Sequence, residues 1–295
     1  SREMSERKHN YASLMVRSLE DFKAIEVSFD SNWFFRGQRC SHWDLETSLE
    51  RKDSDLKRSE YAEFEKNALL EARRLLEWDD DSGDAFSRLA FLQHHGCRTR
   101  LLDFTRCLKV ALYFAAQAGA CEKDGNPTRD GAIWAISRSA LDKKIRGLTG
   151  DASADSDEAS QRLIQQSLSV GAKANTPEEL AVVFCQPALP NPRIVAQKGL
   201  FLAPLNLQND FKANLTLGLN LTGAKEQVRR LKSIEDLSSA LNEEDVIKLI
   251  ILEEARAEML KYLADQGINE ESLYPKVDEF VKRLNEWRPM KEVAP

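Results

Sequence analysis

An arginine that follows three aromatic residues and precedes a glycine is well placed to meet a ligand. Asn32-Trp33-Phe34-Phe35-Arg36-Gly37-Gln38 reads as a buried strand that delivers the Arg36 guanidinium at its end, where the missing Cβ of Gly37 lets a ligand approach closely. The planar guanidinium donates two parallel hydrogen bonds, a geometry suited to phosphate. The competing reading is a buried Arg36 paired with Asp44 or Asp103.

A second group lies along Arg98-Thr99-Arg100-Leu101-Leu102-Asp103-Phe104-Thr105. In an extended backbone Asp103 and Thr105 flank Phe104 and share one face, so a carboxylate and a hydroxyl can orient a ligand together. Thr105 also stands where a helix through Val110 would begin, and threonine is a good cap. Both roles can coexist, because a helix N-terminus favours anions. Upstream, Gln93-His94-His95-Gly96 offers imidazoles as a general base or metal ligands. Adjacent histidines on a helix point about a third of a turn apart, and no second ligand cluster stands nearby. The expectation is therefore no metal, and histidines that shape the site through packing or hydrogen bonds. Gln197 carries no charge, and taken alone it reads as a surface or turn residue.

These residues can meet only if the elements between them fold as follows. Leu19, Phe22 and Ile25 recur at helical spacing and predict a short helix from about Leu14 to Ser28. Tyr61, Phe64, Ala68, Leu69 and Leu75 make Ser59 to Trp78 amphipathic, with Asp79 to Gly83 as a solvated loop. Phe86 to His94 predicts a second helix that Gly96 terminates. Leu101 and Leu102 predict a short buried strand or turn, with a helix from about Leu108 to Ala118, and Gly131 to Ile136 a strand. Thr149 to Ser160 reads as a mobile acidic loop. Pro187, Pro190 and Pro192 bracket a turn before a compact strand at Arg193 to Gln197, with Gly199 to Leu202 beyond. Ser233-Ile234-Glu235-Asp236 is a helix-start pattern, Val246 to Leu252 a β-branched strand, and Glu254 to Gln266 and Tyr274 to Trp287 two helices separated by Gly267, with Pro275 at a helix opening.

The chain's 295 residues, 42% hydrophobic, can bury a sizeable core. Five widely spaced cysteines with no CxxC pair argue against a disulfide framework and a zinc knuckle, and predict free thiols in a reducing cytosol. The opening residues lack an apolar secretion segment, and no later run approaches the roughly 18 apolar residues of a membrane span. A cytoplasmic protein without a membrane partner is the expectation. A net charge of −6 opposes non-specific binding along a nucleic-acid backbone.

Phe35-Arg36-Gly37-Gln38, with Trp43, Leu45 and Ser48-Leu49-Glu50-Arg51, then Gln93-His94-His95-Gly96, Thr99 to Thr105 and Val110 to Ala115, resembles the FRG-domain family. Gln197-Lys198-Gly199-Leu200-Phe201, Gly267-Ile268 and Ser272-Leu273-Tyr274-Pro275 extend that resemblance, which covers roughly Trp33 to Leu284. A second, fold-level resemblance is to ADP-ribosyltransferases of the arginine-serine-glutamate type. Arg36-Gly37 is similar to their first core element, Asp103-Phe104-Thr105 before Val110-Ala111 and Phe114 to the second, and Gln197 before Gly199 and Phe201 to the third.

The resemblances imply an α+β fold of mixed, mostly antiparallel small sheets flanked by helices around an ADP-ribosyltransferase-like core. They also imply a helical segment over 1–30, one FRG-type domain over 31–288 and a tail over 289–295. The implied substrate is NAD, with ADP-ribose transferred to an unknown protein or nucleic-acid acceptor, or the dinucleotide hydrolysed. Arg36 would grip phosphate or ribose, Asp103 and Thr105 would position the nicotinamide ribose, and Gln197 would fix hydroxyls. Phe35, Gly37, Gln38, His94, His95, Thr99, Arg100, Tyr113 and Phe201 would line the ligand. Gln197 stands where the transferases place an acid and cannot neutralise a ribosyl cation. Either Asp103 substitutes, an acid such as Glu253 or Glu254 enters, or the domain binds nucleotide without turning it over. The rivals are a non-catalytic nucleotide-sensing or protein-interaction module, and a hydrolase using His94 or His95 as base with Asp103 as its orienter.

Overall fold

The first element is a strand buried along nearly its whole length: Tyr11 to Val16 are buried except Met15, as befits a strand paired on both sides inside a sheet. The helix expected from Leu14 therefore begins only at Leu19, where the Ser18 hydroxyl accepts from the Asp21 amide and caps it. The computed structural model describes residues 10–51, 55–75, 85–119, 121–123, 126–151, 153, 155–170, 180–187, 191–221 and 228–275. Its elements run β1 (Tyr11–Val16), α1 (Leu19–Glu26), β2 (Trp33–Gln38), a 3-10 turn (Arg58–Glu60), α2 (Tyr61–Leu75), α3 (Ala85–His94), β3 (Leu102–Thr105), α4 (Leu108–Ala116), β4 (Cys121–Lys123), β5 (Asn126–Thr128) and β6 (Gly131–Ser137). They continue with α5 (Arg138–Thr149), α6 (Ser156–Val170), β7 (Val182–Cys185), α7 (Pro192–Ala196), β8 (Gly199–Pro204), α8 (Phe211–Gly218), β9 (Val228–Arg230), α9 (Ile234–Glu243), β10 (Val246–Ile251), α10 (Glu253–Asp265) and α11 (Glu270–Leu273).

The fold is α+β. Instead of several small sheets, one mixed eight-stranded sheet runs β7-β8-β3-β2-β6-β10-β1-β9, with β4 and β5 as a separate pair. β1 lies parallel to β10 and β9, and the other pairings are antiparallel. The sheet buries a core on each face. One joins Phe34, Phe104 and Trp134 to residues of α3, α5, α6 and α8; the other joins Trp33, Phe35 and Ile133 to α1, α4, α9 and α10. Helix α4 lies directly on the sheet, because a Cβ at Gly37 would overlap the Ala111 carbonyl and one at Gly131 the Ala115 carbonyl. Gly37 thus serves helix packing, where the sequence suggested ligand approach.

Three further expectations change. Arg193 to Ala196, expected with Gln197 as a strand, is helical and Gln197 caps its end, because the Asn191 carboxamide accepts from the Ile194 amide at 2.8 Å and Pro192 opens the turn; cap and proline outweigh the β-branched Ile194-Val195. The loop read over Thr149 to Ser160 is half helix. Asp155 accepts from the Asp157 and Glu158 amides, and Ala159 and Ser160 are buried. Cys40 and Cys121 form a disulfide with Cα atoms 6.0 Å apart across 81 residues of sequence, a pairing that spacing cannot reveal. Cys97, Cys107 and Cys185 are free. Such a bond is commoner in oxidising than in reducing compartments. Gly96 and Gly267 hold the positive φ expected past helix ends. The Asp79–Gly83 loop, most of the Tyr274–Trp287 helix and the 289–295 tail lie outside the described residues. Among the described residues no helix is long and apolar enough to cross a membrane.

Candidate functional site

Strand β3 is short and central, and it sets the site. β3 pairs with β2 through Phe35 and Thr105 and with β8 so that Asp103 stands opposite Phe201 and Thr105 opposite Gly199. Between the end of α3, the turn after it, β3, α7 and the start of β8 opens a cleft of about 290 Å³. Gln93, His94, Arg98 and Asp103 line it together with Asn191, Arg193, Gln197 and Phe201, and Arg51 and Ser48 contribute from the segment after β2. Among the described residues Arg51, Arg98 and Arg193 and one carboxylate, Asp103, line the cleft, and guanidiniums gathered in a concave, partly apolar site suit an anion.

The carboxylate is oriented by a directed chain of hydrogen bonds. The Leu101 amide donates to the Thr99 hydroxyl at 3.2 Å, which must then direct its own proton to Gln93 Oε1, 2.5 Å away. That fixes the Gln93 amide with its NH2 toward Asp103, where it donates to Oδ2 at 3.2 Å. Ser48 holds the chain in place by accepting from the Thr99 amide at 2.9 Å and donating to the Thr99 carbonyl at 3.1 Å. Arg36 donates from Nη1 to the Asp103 carbonyl at 2.7 Å, so it bonds the backbone of the residue and not the carboxylate. Burial lowers the pKa of the Arg36 guanidinium, Asp103 opposing and Arg51 reinforcing the shift, and its Nε is buried without a partner among the described residues.

Residues 31–124 match the family model of the FRG domain. This chain carries an FRG domain. No curated protein and no solved structure matches the chain. The FRG segment supplies β2, α3, β3 and α4, and with them Arg51, Gln93, Arg98 and Asp103. The facing wall, from Asn191 to Phe201, follows later in the chain.

Of the residues expected at the site, the structure brings Asp103, His94, Gln197 and Phe201 to the cleft. Thr105 has both hydroxyl roles filled: it donates to the Gln197 carbonyl at 2.7 Å and accepts from the Cys107 amide at 3.0 Å. The α4 cap is Cys107 itself, so Thr105 closes the entry to that helix from two residues back. The Gln197 amide donates to the Leu273 carbonyl at 3.1 Å and ties α7 to α11. Arg36 lies off the cleft lining, on the strand that supports it.

The remaining candidates of the FRG segment are structural. Phe35 is buried, with its ring edge-on to Phe29 at 5.3 Å. Gln38 accepts from Trp134 Nε1 at 2.9 Å and donates to the Asp44 carbonyl at 3.0 Å. Thr99 is buried and acts through Gln93. Arg100 is 1% exposed; its Nε donates to Glu65 at 2.7 Å and its Nη1 to Ser167 at 2.7 Å. Tyr113 is buried on α4, edge-on to Phe114, and burial raises its phenol pKa. His94 Nδ1 lies 3.4 Å from the Asn191 amide, while His95 is exposed, its ring 4.4 Å from Phe91. Neither histidine is hydrogen-bonded to Asp103, which accepts from Gln93. Glu253 pairs with Arg129 at 3.0 Å and neither it nor Glu254 lines the cleft. Among the described residues no metal-ligating group of three or more gathers. Sequence reasoning missed Arg51, Arg193 and Asn191 as lining residues; no local pattern marks them, since only the tertiary fold turns them inward.

Proposed function

We propose that this FRG-domain protein binds a nucleotide in the cleft, with NAD as the substrate. The observation that carries the reading is the presence of Arg51 and Arg193, with Arg98 beside them, in a cleft whose one lining carboxylate among the described residues is Asp103. Phosphate matches guanidinium geometry, and an anionic ligand balances the site's charge. A cleft of about 290 Å³ lies near the lower end of the roughly 300–1,000 Å³ of small-molecule sites, so one half of a dinucleotide sits inside and the other lies across the rim.

In the transferase form of this reading, nicotinamide leaves the ribose with the electron pair of the broken C–N bond. Asp103, its Oδ2 held by Gln93, faces the ribosyl cation with its other oxygen. Water or an acceptor hydroxyl then adds and gives up its proton, so the product is free or transferred ADP-ribose. A non-catalytic nucleotide-sensing module is the second reading. It is favoured by the Thr105 hydroxyl and the Gln197 amide, both of which are already bonded within the protein.

Nicotinamide release from NAD by wild type and Asp103→Asn at matched folded concentration separates the two. Release by wild type, reduced about 100- to 1000-fold by the substitution, is expected of a transferase. Saturable binding with no release from either protein leaves the sensing module, and neither binding nor release removes both.

A further inference from the structure

Arg193, which lines the cleft with Asp103, is more than a point charge. Its guanidinium lies 4.8 Å over the ring of Tyr274, which stands immediately after α11. Tyr274 is held there by its amide, which donates to the Glu270 carbonyl at 2.9 Å, and by an edge contact with Phe114 at 6.5 Å. The bond from Gln197 to the Leu273 carbonyl at 3.1 Å fixes α11 against α7, the helix that bears Arg193. Tyr274 nevertheless remains 40% exposed, and Arg193 is exposed while lining the cleft. The Tyr274 ring thus sits beside the Arg193 guanidinium while both side chains keep exposed surface.

We infer that Arg193 and Tyr274 form a stacking platform for the heteroaromatic base of the ligand, whose phosphates lie toward Arg51 and Arg98. The inference rests on the nucleotide reading of the cleft and adds the base to it. A guanidinium held over a ring is presented as a plane, and bases stack on arginine planes as they do on aromatic rings. The same pair gives no such advantage to inorganic phosphate or to an acidic peptide, which need only the charge. Lysine retains that charge and lacks the plane, so the two contributions can be separated.

The test is calorimetric titration of ADP and of inorganic pyrophosphate into wild type, Arg193→Lys and Tyr274→Leu, each checked for folding by circular dichroism. Wild type is expected to bind ADP more tightly than pyrophosphate. Each substitution should weaken ADP roughly 5- to 100-fold, the worth of one stacked base; Tyr274→Leu should change pyrophosphate by less than about twofold, and Arg193→Lys should weaken pyrophosphate less than ADP. Equal loss of both ligands, or no loss of ADP, overturns the platform. Wild type that binds pyrophosphate and ADP equally also overturns it while the anion cleft stands. Wild type that binds neither ends the nucleotide reading and the platform together.

Discussion

Arg98 and Arg100 stand two residues apart, and the fold uses them for opposite purposes. Arg100 and Glu65 are each 1% exposed along their side chains. The pair is completed by bonds from Arg100 to Ser167 and to the Pro204 carbonyl, and from the Arg100 amide to Glu65 at 3.2 Å. It fastens α2, α6 and the end of β8 around the segment that leads into β3. Arg98 lines the cleft with Arg51, Arg193 and, as the one lining carboxylate among the described residues, Asp103. A buried arginine with its partner and its other donors satisfied holds structure, whereas arginines gathered at a concave surface create a potential that a ligand can use.

The largest effect expected from this contrast is on stability. Arg100→Ala leaves the Glu65 carboxylate buried without its cation, and removal of one partner of a buried pair costs about 3–5 kcal/mol. Arg51→Ala should cost less than about 0.5 kcal/mol, as surface substitutions do. Urea unfolding of both variants measures the difference, and equal costs would break the comparison.

A smaller effect is expected at the junction of the two regions, where Thr99 lies between the arginines and directs the Gln93 amide toward Asp103. Thr99→Val keeps the shape and removes the hydroxyl, leaving the Leu101 amide and Gln93 Oε1 without their partner. The expected loss is about 1–3 kcal/mol of stability, together with weaker dinucleotide affinity by calorimetry. Unchanged affinity would show that the chain of bonds does not reach the cleft.

The smallest effect concerns a third arrangement, Asp157 beside Arg106 and Arg138. Burial holds the Asp157 carboxyl above the usual carboxylate range, with Asp155 adding to the shift and Arg106 opposing it, and its Oδ1 has no partner among the described residues. The folded state therefore takes up the proton more readily than the unfolded chain. The ionised acid costs stability above its folded pKa, and that cost is relieved as pH falls through the raised range. Asp157→Asn should melt at a higher temperature than wild type at neutral pH, with the gap closing toward about pH 4, the ordinary carboxylate range. A constant gap across that window would mean that the arginines, not burial, set the state of the acid.

Much of the framework was legible because its signals are local. The aromatic run of β2, Gly96 after α3, the Ser233 and Asp236 capping box of α9 and the β-branched run of β10 each carry their own physical cause. β1 and α7 were misread because a six-residue run buried except at Met15 and a cap followed by proline compete with stronger-looking patterns nearby. At the site, Asp103, His94, Gln197 and Phe201 were found from the sequence. Thr105 and Gln38 look ready for a ligand but are satisfied by partners 92 and 96 residues away, which no local pattern records. For the same reason the inward turn of Arg51 and Arg193, and the Cys40–Cys121 bond, became visible only in three dimensions.

The central claim is that the arginine-lined cleft accepts a nucleotide anion, and calorimetric titration of NAD into wild type and Arg51→Ala/Arg193→Ala tests it most directly. Saturable one-to-one binding to wild type is predicted. Each lost charge-assisted contact is worth about 1.5–3 kcal/mol, so the double variant should bind at least about 100-fold more weakly with its melting temperature nearly unchanged. Equal affinity in the two proteins, or no binding to wild type, would contradict the claim.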